Sequence, residues 1–299
     1  MKQLALIFSY LILLPIFEAA YGAEKSKPAL AWLSYDWQPA WITEGPLKGQ
    51  GYAQSIERIL KESLPDFQHK TQKIINVRTY TILKNSDACF ASSSYQGTDL
   101  TVQQKDGLIW SAPTFLFFYH GIILHSDARA LFTPHIKGGY ISLTSAISDP
   151  KIIGLYQPGR QYSRWIMPIL DAAVNHPNIF RWSSNVRLTQ SKFKMLEAKR
   201  IDYFIDYGFL LEFHKQTTNS TNQLLYLPLE EHRDTIGLGA IACNDTAVGQ
   251  KAISQINALL LSLRQTEEYK VASSRWLMPE GLEQEYWQLW EEEVLSRTK

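Results

Sequence analysis

Much of what would assign a chemistry at once is missing from this chain. Cysteine is scarce, two in 299 residues, and the pair has no C-x-x-C spacing, which leaves no redox or metal motif of that kind. There is no G-x-S-x-G elbow and no H-E-x-x-H. The seven histidines (His69, His120, His125, His135, His176, His214, His232) contain no i,i+2 or i,i+4 ligand pair. Catalytic and metal-ligating residues are therefore not nominated, and GPLKGQG (45–51) has neither Walker nor dinucleotide spacing, so no cofactor is expected. Charge of one sign is also missing. Thirty Lys and Arg face 29 Asp and Glu, a net charge of +1 without a basic block, and nucleic-acid binding has no electrostatic footprint. Beyond the first residues, no apolar run reaches the roughly 18 positions of a membrane helix.

What is present begins with Lys2, the apolar run Leu4–Phe17 and the small residues Ala20 and Gly22 around Tyr21. This reads as a secretory signal peptide over residues 1–22, the alternative being an uncleaved anchor. In an exported chain, Cys89 and Cys243 are expected to form a disulfide; two buried thiols are the alternative. At 45% hydrophobic and 20% charged residues, the remainder is an ordinary globular composition.

Ala29–Ser34 is strand-like and leads into Tyr35, Trp37 and Trp41, candidate pocket walls, with Trp32 assigned to the core. Tyr52, Ile56, Ile59 and Leu60 mark one helix face, which Pro65 ends. Ile74–Leu83 reads as a second strand, Ala88–Ala91 as a third, and the aromatic run Phe115–Leu124 is long enough for another. Ser126–Gly139 is polar and suits a connection between halves. Ile152–Tyr156 is a strand, followed by a loop with Arg160 and a helix from Tyr162 to Leu170 kinked at Pro168. Ser191–Lys199 reads as a helix, Ile201–Tyr207 as a strand ending at Asp206 and Tyr207. Leu224–Leu229 and Thr235–Cys243 are further strands, and helices follow at 253–263, 269–277 and 282–290.

The order and spacing of Asp87 and its apolar strand, Gly97, Thr101 and Trp110-Ser111-x-Pro113 resemble the bacterial extracellular solute-binding proteins of family 3, the type 2 periplasmic-binding fold. Lys199-Arg200-Ile201-Asp202 and the strand to Asp206 resemble a second signature of that family. The opening Trp32-Leu33-x-x-Asp36-Trp37-x-Pro39, with the cysteine pair, is similar to a divergent proteobacterial branch. The resemblance implies an α/β protein of two lobes, each a central sheet flanked by helices, joined by a two-strand hinge. Residues 23–120 and 235–299 would form the first lobe and 121–234 the second.

It also implies a periplasmic, monomeric protein that captures a small polar solute for an ABC-type importer. The alternatives are a sensing module acting on a membrane partner and, third, an enzyme on the same fold with Asp206 or Glu44 as its acid. The ligand-binding residues it implies are Tyr35, Trp37, Gly97, Thr101, Gln104, Arg160, Asp206 and Tyr207. Asp206 would partner a cationic group, or else be a surface carboxylate on an edge strand. Arg160 would donate to the ligand, or else be a solvated loop residue. One departure stands out. The family's clamping Arg is Gln104 here, which makes an α-amino acid a weaker expectation unless Lys105 or Arg160 supplies the charge.

Overall fold

The computed structural model describes residues 26–158, 160, 162–182, 188–218, 223–233 and 235–298; the expected signal peptide lies outside them. Among the described residues twelve strands run in chain order: β1 (Ala29–Ser34), β2 (Gln68–Lys73), β3 (Ala88–Ser94), β4 (Leu108–Phe118), β5 (His120–His125), β6 (Ile136–Lys137), β7 (Tyr140–Ile141), β8 (Gly154–Tyr156), β9 (Ile179–Arg181), β10 (Tyr203–Tyr207), β11 (Leu224–Pro228) and β12 (Ile236–Asn244). They form two five-stranded mixed sheets, ordered β2-β1-β3-β12-β4 and β11-β5-β10-β8-β9, and a small β6–β7 hairpin.

In the first sheet β1 is apolar on both faces because it is covered on both faces: Leu30, Trp32 and Leu33 are fully buried. It pairs in parallel with β2 and β3, while β12 returns antiparallel between β3 and β4. The second sheet repeats the device in reverse. Its incoming strand β5 runs antiparallel to β10 and β11, and β10, β8 and β9 are parallel. The helix Tyr52–Ser63 and the C-terminal helices close the first core. The second sheet has a separate apolar cluster on each side. This is the two-lobed α/β architecture expected from the resemblance.

Three local readings are corrected. The second strand is Gln68–Lys73, and residues 76–84 are helical turns. As an edge strand open to solvent, β2 carries the polar string QHKTQK and shows no apolar alternation, whereas the β-branched residues after it mimic a strand while packing Leu83 inward. The aromatic run is two strands, and the crossing between halves is at Tyr119; residues 126–139 instead belong to the second half, as helical turns over 126–135 that bury Phe132 and then β6 with the turn after it. Pro168 lies in the first turn of the helix Met167–Ala173, where its missing N–H costs nothing, and makes no kink.

The chain returns between β11 and β12, and the two crossings are tied together. The Tyr119 and His232 rings lie 4.8 Å apart, and the Tyr226 hydroxyl donates to the Tyr119 carbonyl at 2.9 Å. Burial pushes His232 down to about 4, so it is neutral: Nδ1–H donates to the His120 carbonyl at 3.2 Å and Nε2 accepts from the Ser163 hydroxyl. Cys89 and Cys243 face each other across β3 and β12 and are bonded, closing a separation of 154 residues within the first sheet.

Candidate functional site

Where the two halves face each other lies a cavity of about 500 Å³. It sits beyond the carboxyl ends of β1, β3, β8 and β10, the place where open α/β sheets bind ligands. On the first-half side, Tyr35, Trp37, Tyr52, Tyr80, Phe90, Phe115 and Phe117 supply rings, and Ser92, Ser93 and Ser94 line the end of β3. Tyr52 and Ser92 hydrogen-bond through their hydroxyls at 2.9 Å. Trp110 Nε1 donates to Ser93 at 3.1 Å.

The alternating glycines of β12 allow two of those rings their place. Gly237 and Gly239 are cross-strand partners of Phe117 and Phe115, and a Cβ on either would lie 2.2 or 1.9 Å from a ring atom. On the second-half side stand Tyr156, Gln157, Arg160, Tyr162, Lys192, Tyr207 and Phe209. The walls meet ring to ring: Tyr207 lies 5.4 Å from Phe117 and 6.3 Å from Trp37, and Phe209 6.5 Å from Trp37.

Of the eight residues nominated from sequence, Tyr35, Trp37, Thr101, Gln104, Arg160 and Tyr207 line this cavity, and Gly97 and Asp206 do not. Gly97 is a turn residue at φ +59°, where a Cβ would lie 2.8 Å from the Trp110 ring. Thr101 and Gln104 cap the short helix Val102–Lys105 for each other: the Gln104 side chain accepts the Thr101 N–H at 2.9 Å, and Thr101 Oγ1 accepts the Gln104 N–H at 3.3 Å. Trp41 is in the core, stacked on Phe90 at 5.3 Å, and is not part of the wall.

Asp206 lies beneath the wall in a central strand, not at a sheet edge, with its side chain 0% exposed. Arg160 grips it with both terminal nitrogens, Nη1 donating to Oδ2 at 2.6 Å and Nη2 to Oδ1. Lys192 donates to Oδ2, and the Tyr207 N–H to Oδ1 at 2.9 Å. The Arg160 and Lys192 side chains are themselves 10% and 3% exposed. Burial alone would raise the Asp206 carboxyl, but the adjacent Arg160 and Lys192 charges outweigh it and hold it well below the usual carboxylate range. For Lys192 burial dominates and Asp206 only partly offsets it, so its ammonium is pushed down to about 8. The guanidinium also lies over the Tyr162 and Tyr207 rings at 5.1 and 5.7 Å.

Across the cavity is one further carboxylate. Asp99 is pushed up to about 6 by burial, against the opposing pull of the Arg164 backbone N–H that it accepts and of the Arg164 and Lys105 charges. Its Oδ1 has no hydrogen-bond partner among the described residues.

Sequence reasoning missed Lys192, Asp99, Tyr52, Tyr80, Phe209 and the serine run. Lys192 is one of several polar positions on an amphipathic helix, Leu188–Glu197, and nothing in its spacing separates it from a solvated lysine. The serines had a signal, since three consecutive hydroxyls at the end of a buried strand are poor strand formers that a site can use. Among the described residues no group of three His, Cys, Asp or Glu side chains is arranged to hold a metal ion, and no helix is long and apolar enough to cross a membrane.

No family model matches the chain, and no curated protein matches it. Solved structures do. The chain is similar to a histidine kinase sensor domain with similarity to periplasmic binding proteins, at 13% identity and a TM-score of 0.61 over 84% of this chain and 96% of that one. It is similar to the substrate-binding protein of an amino-acid ABC transporter, at 15% identity and a TM-score of 0.56 over 84% and 99%. It is also similar to the GluR0 ligand-binding core from Nostoc punctiforme in complex with L-glutamate, at 14% identity and a TM-score of 0.56 over 84% and 100%. At these identities the likeness is one of fold, the type 2 periplasmic-binding architecture.

Proposed function

We propose that this chain is an exported periplasmic solute-binding protein that captures a small polar ligand between its halves for an ABC-type importer. Residues 23–120 and 235–299 would act as one lobe and 121–234 as the other, in a monomer. The observation that carries the reading is the cavity of about 500 Å³, walled from both halves at the ends of the parallel strands, with two chain crossings as its hinge. The likeness to a transporter's substrate-binding protein and to a glutamate-bound core supports it. Melting the protein against amino acids, polyamines, sugars and short peptides tests it. A ligand at 100 times its Kd stabilises by about 2.7 kcal/mol, and Trp37→Ala should remove that shift. No shift across the library would count against solute capture.

A second reading, a sensing module that docks on a membrane signalling partner, is supported by the likeness to a histidine kinase sensor domain. Crosslinking of the ligand-loaded protein in membranes separates the two, because the captured partner is a permease in one case and a kinase in the other. The acid an enzyme would need has a candidate in Asp99, with Glu44 and Asp206 both off the cavity wall. Consumption of the bound ligand, abolished by Asp99→Asn, would replace the binding reading by catalysis.

A further inference from the structure

Asp206 has no capacity left for a ligand. A carboxylate offers about four acceptor positions. Here four donors fill them: both terminal nitrogens of Arg160, the Lys192 ammonium and the Tyr207 N–H. A cationic group arriving from the cleft would have to displace one of two buried cations, and it would meet those cations first, because Arg160 and Lys192 line the cavity and Asp206 does not. Two positive charges against one negative leave the triad at +1, buried among aromatic rings. Of the five guanidinium N–H groups two go to Asp206, and of the three ammonium N–H groups one does, so both side chains retain donor capacity.

We propose that this end of the cleft receives an anionic group, a carboxylate, carried on an aromatic solute, with Arg160 and Lys192 as its donors and Asp206 as their fixed counter-ion. The inference rests on reading the cavity as a solute site and names the class of solute. Charge-assisted donors in a water-poor site give the anion its advantage. The rings of Tyr35, Trp37, Phe90, Phe115, Phe117 and Phe209 give the aromatic body its walls. The charge sits on the second half, through Arg160 and Lys192, while position 104 on the first half is a neutral helix-capping glutamine. A carboxylate on an aromatic frame can come from a simple monoanion or from a zwitterion, whose ammonium would then fall to Asp99 on the facing wall.

Four probes sharing one ring separate these outcomes by calorimetry on the purified protein: phenylacetate, phenylacetamide, phenethylamine and L-phenylalanine. The anion or the zwitterion should bind at least about tenfold more tightly than the amide and the amine, as expected for a desolvated charge-assisted contact. Lys192→Met should erase that margin by weakening the acid far more than the amide, and Lys192→Arg should retain it; a purely structural loss would weaken all four alike. Phenylalanine ahead of phenylacetate, with the gain lost in Asp99→Asn, assigns the zwitterion; parity assigns the monoanion. An amine that binds best, or an amide equal to the acid, overturns the inference and leaves solute capture standing. If none of the four binds, the inference is overturned; solute capture itself fails only when the wider library is silent too.

Discussion

The two halves of the molecule are stabilised by different means. The first encloses its sheet in one continuous apolar core, from Leu30 and Trp32 through Tyr269, Tyr286 and Trp290, and clamps the neighbours β3 and β12 with Cys89–Cys243. Among the described residues its face of the cleft is rings, hydroxyls and the amides of Asn76 and Gln104, with Asp99 as the one carboxylate. The second half lends Phe209, Leu210 and Phe213 to that core, divides its other apolar residues into two clusters on either side of its sheet, and buries Arg160, Lys192 and Asp206 at its cleft end. Both halves are held by apolar burial; the first adds a covalent link, the second a set of buried charges that each need the next. Perturbing the covalent chemistry should therefore act on the first half, and perturbing charge on the second.

The disulfide should give the largest effect. Closing a separation of 154 residues stabilises by about 5 kcal/mol in the chain-entropy model. Melting with and without reductant, and of a Cys89→Ala, Cys243→Ala double variant, should show a fall of about 10 °C. Hydrogen exchange should rise first in β3 and β12. Equal loss of protection in β10 and β8 would mean that the halves unfold as one, and the contrast between them would be lost.

Asp206→Asn comes next. It leaves two buried cations facing each other, and removal of one partner from a buried ionic group costs about 3–5 kcal/mol. Asp99→Asn is the control on the other wall: its carboxyl is already raised by burial to about 6 in spite of the Arg164 and Lys105 charges near it, and the amide keeps an acceptor for the Arg164 N–H, so its cost should stay under about 1 kcal/mol. Denaturant titration of both variants measures the difference. Similar losses from the two would show that charge matters equally on both walls.

Legibility in the sequence followed the same division. The first half was readable where apolar period set structure: β1, the helix Tyr52–Ser63, β3 and β12 follow from buried residues, and the cysteines from compartment and count. It was unreadable at β2, where an exposed edge strand obeys hydrogen bonding without any apolar pattern. In the second half Arg160 and Asp206 were each visible as polar residues at the end of a strand or in the loop after one. Their pairing across 46 positions was not, because a bidentate contact leaves no trace in local spacing. Lys192 was invisible for the same reason. The site residues that were nominated came from a family pattern, and the pattern's cationic position on the first half holds Gln104 here, as a capping residue. The missing charge was legible as a departure, with Lys105 and Arg160 named as replacements for it; the presence of Lys192 beside Arg160 was not.

The smallest effect lies at the seam. His120 opens β5 at the crossing, is 1% exposed, and has no hydrogen-bond partner for either ring nitrogen among the described residues. Its ring lies 3.9 Å from Tyr207 and 5.5 Å from Tyr162, with His232 at 6.0 Å. Burial, then the Arg160 charge, hold it well below the ordinary histidine range, with Lys192 and His232 adding to the shift and Asp206 opposing it. His232 is likewise pushed down, to about 4. Folded-state pKa values below the unfolded one mean that, under about pH 6.5, the unfolded chain takes up two protons the folded chain refuses. Stability from these groups is present above that pH and declines as pH falls, whereas Asp206, ionised throughout, contributes no slope until pH nears the unfolded carboxyl value. His120→Leu removes one of the two protons and an unsatisfied buried polar group. Asp99, raised to about 6 in the folded chain, takes up a proton there over the same range and opposes the histidines, so melting between pH 7.5 and 5 should show a slope smaller by about one proton, and a gain of about 1 kcal/mol at neutral pH. An unchanged slope would show that His120 already meets water or a proton in the folded state, so that the seam between the neutral and the charged half is wet.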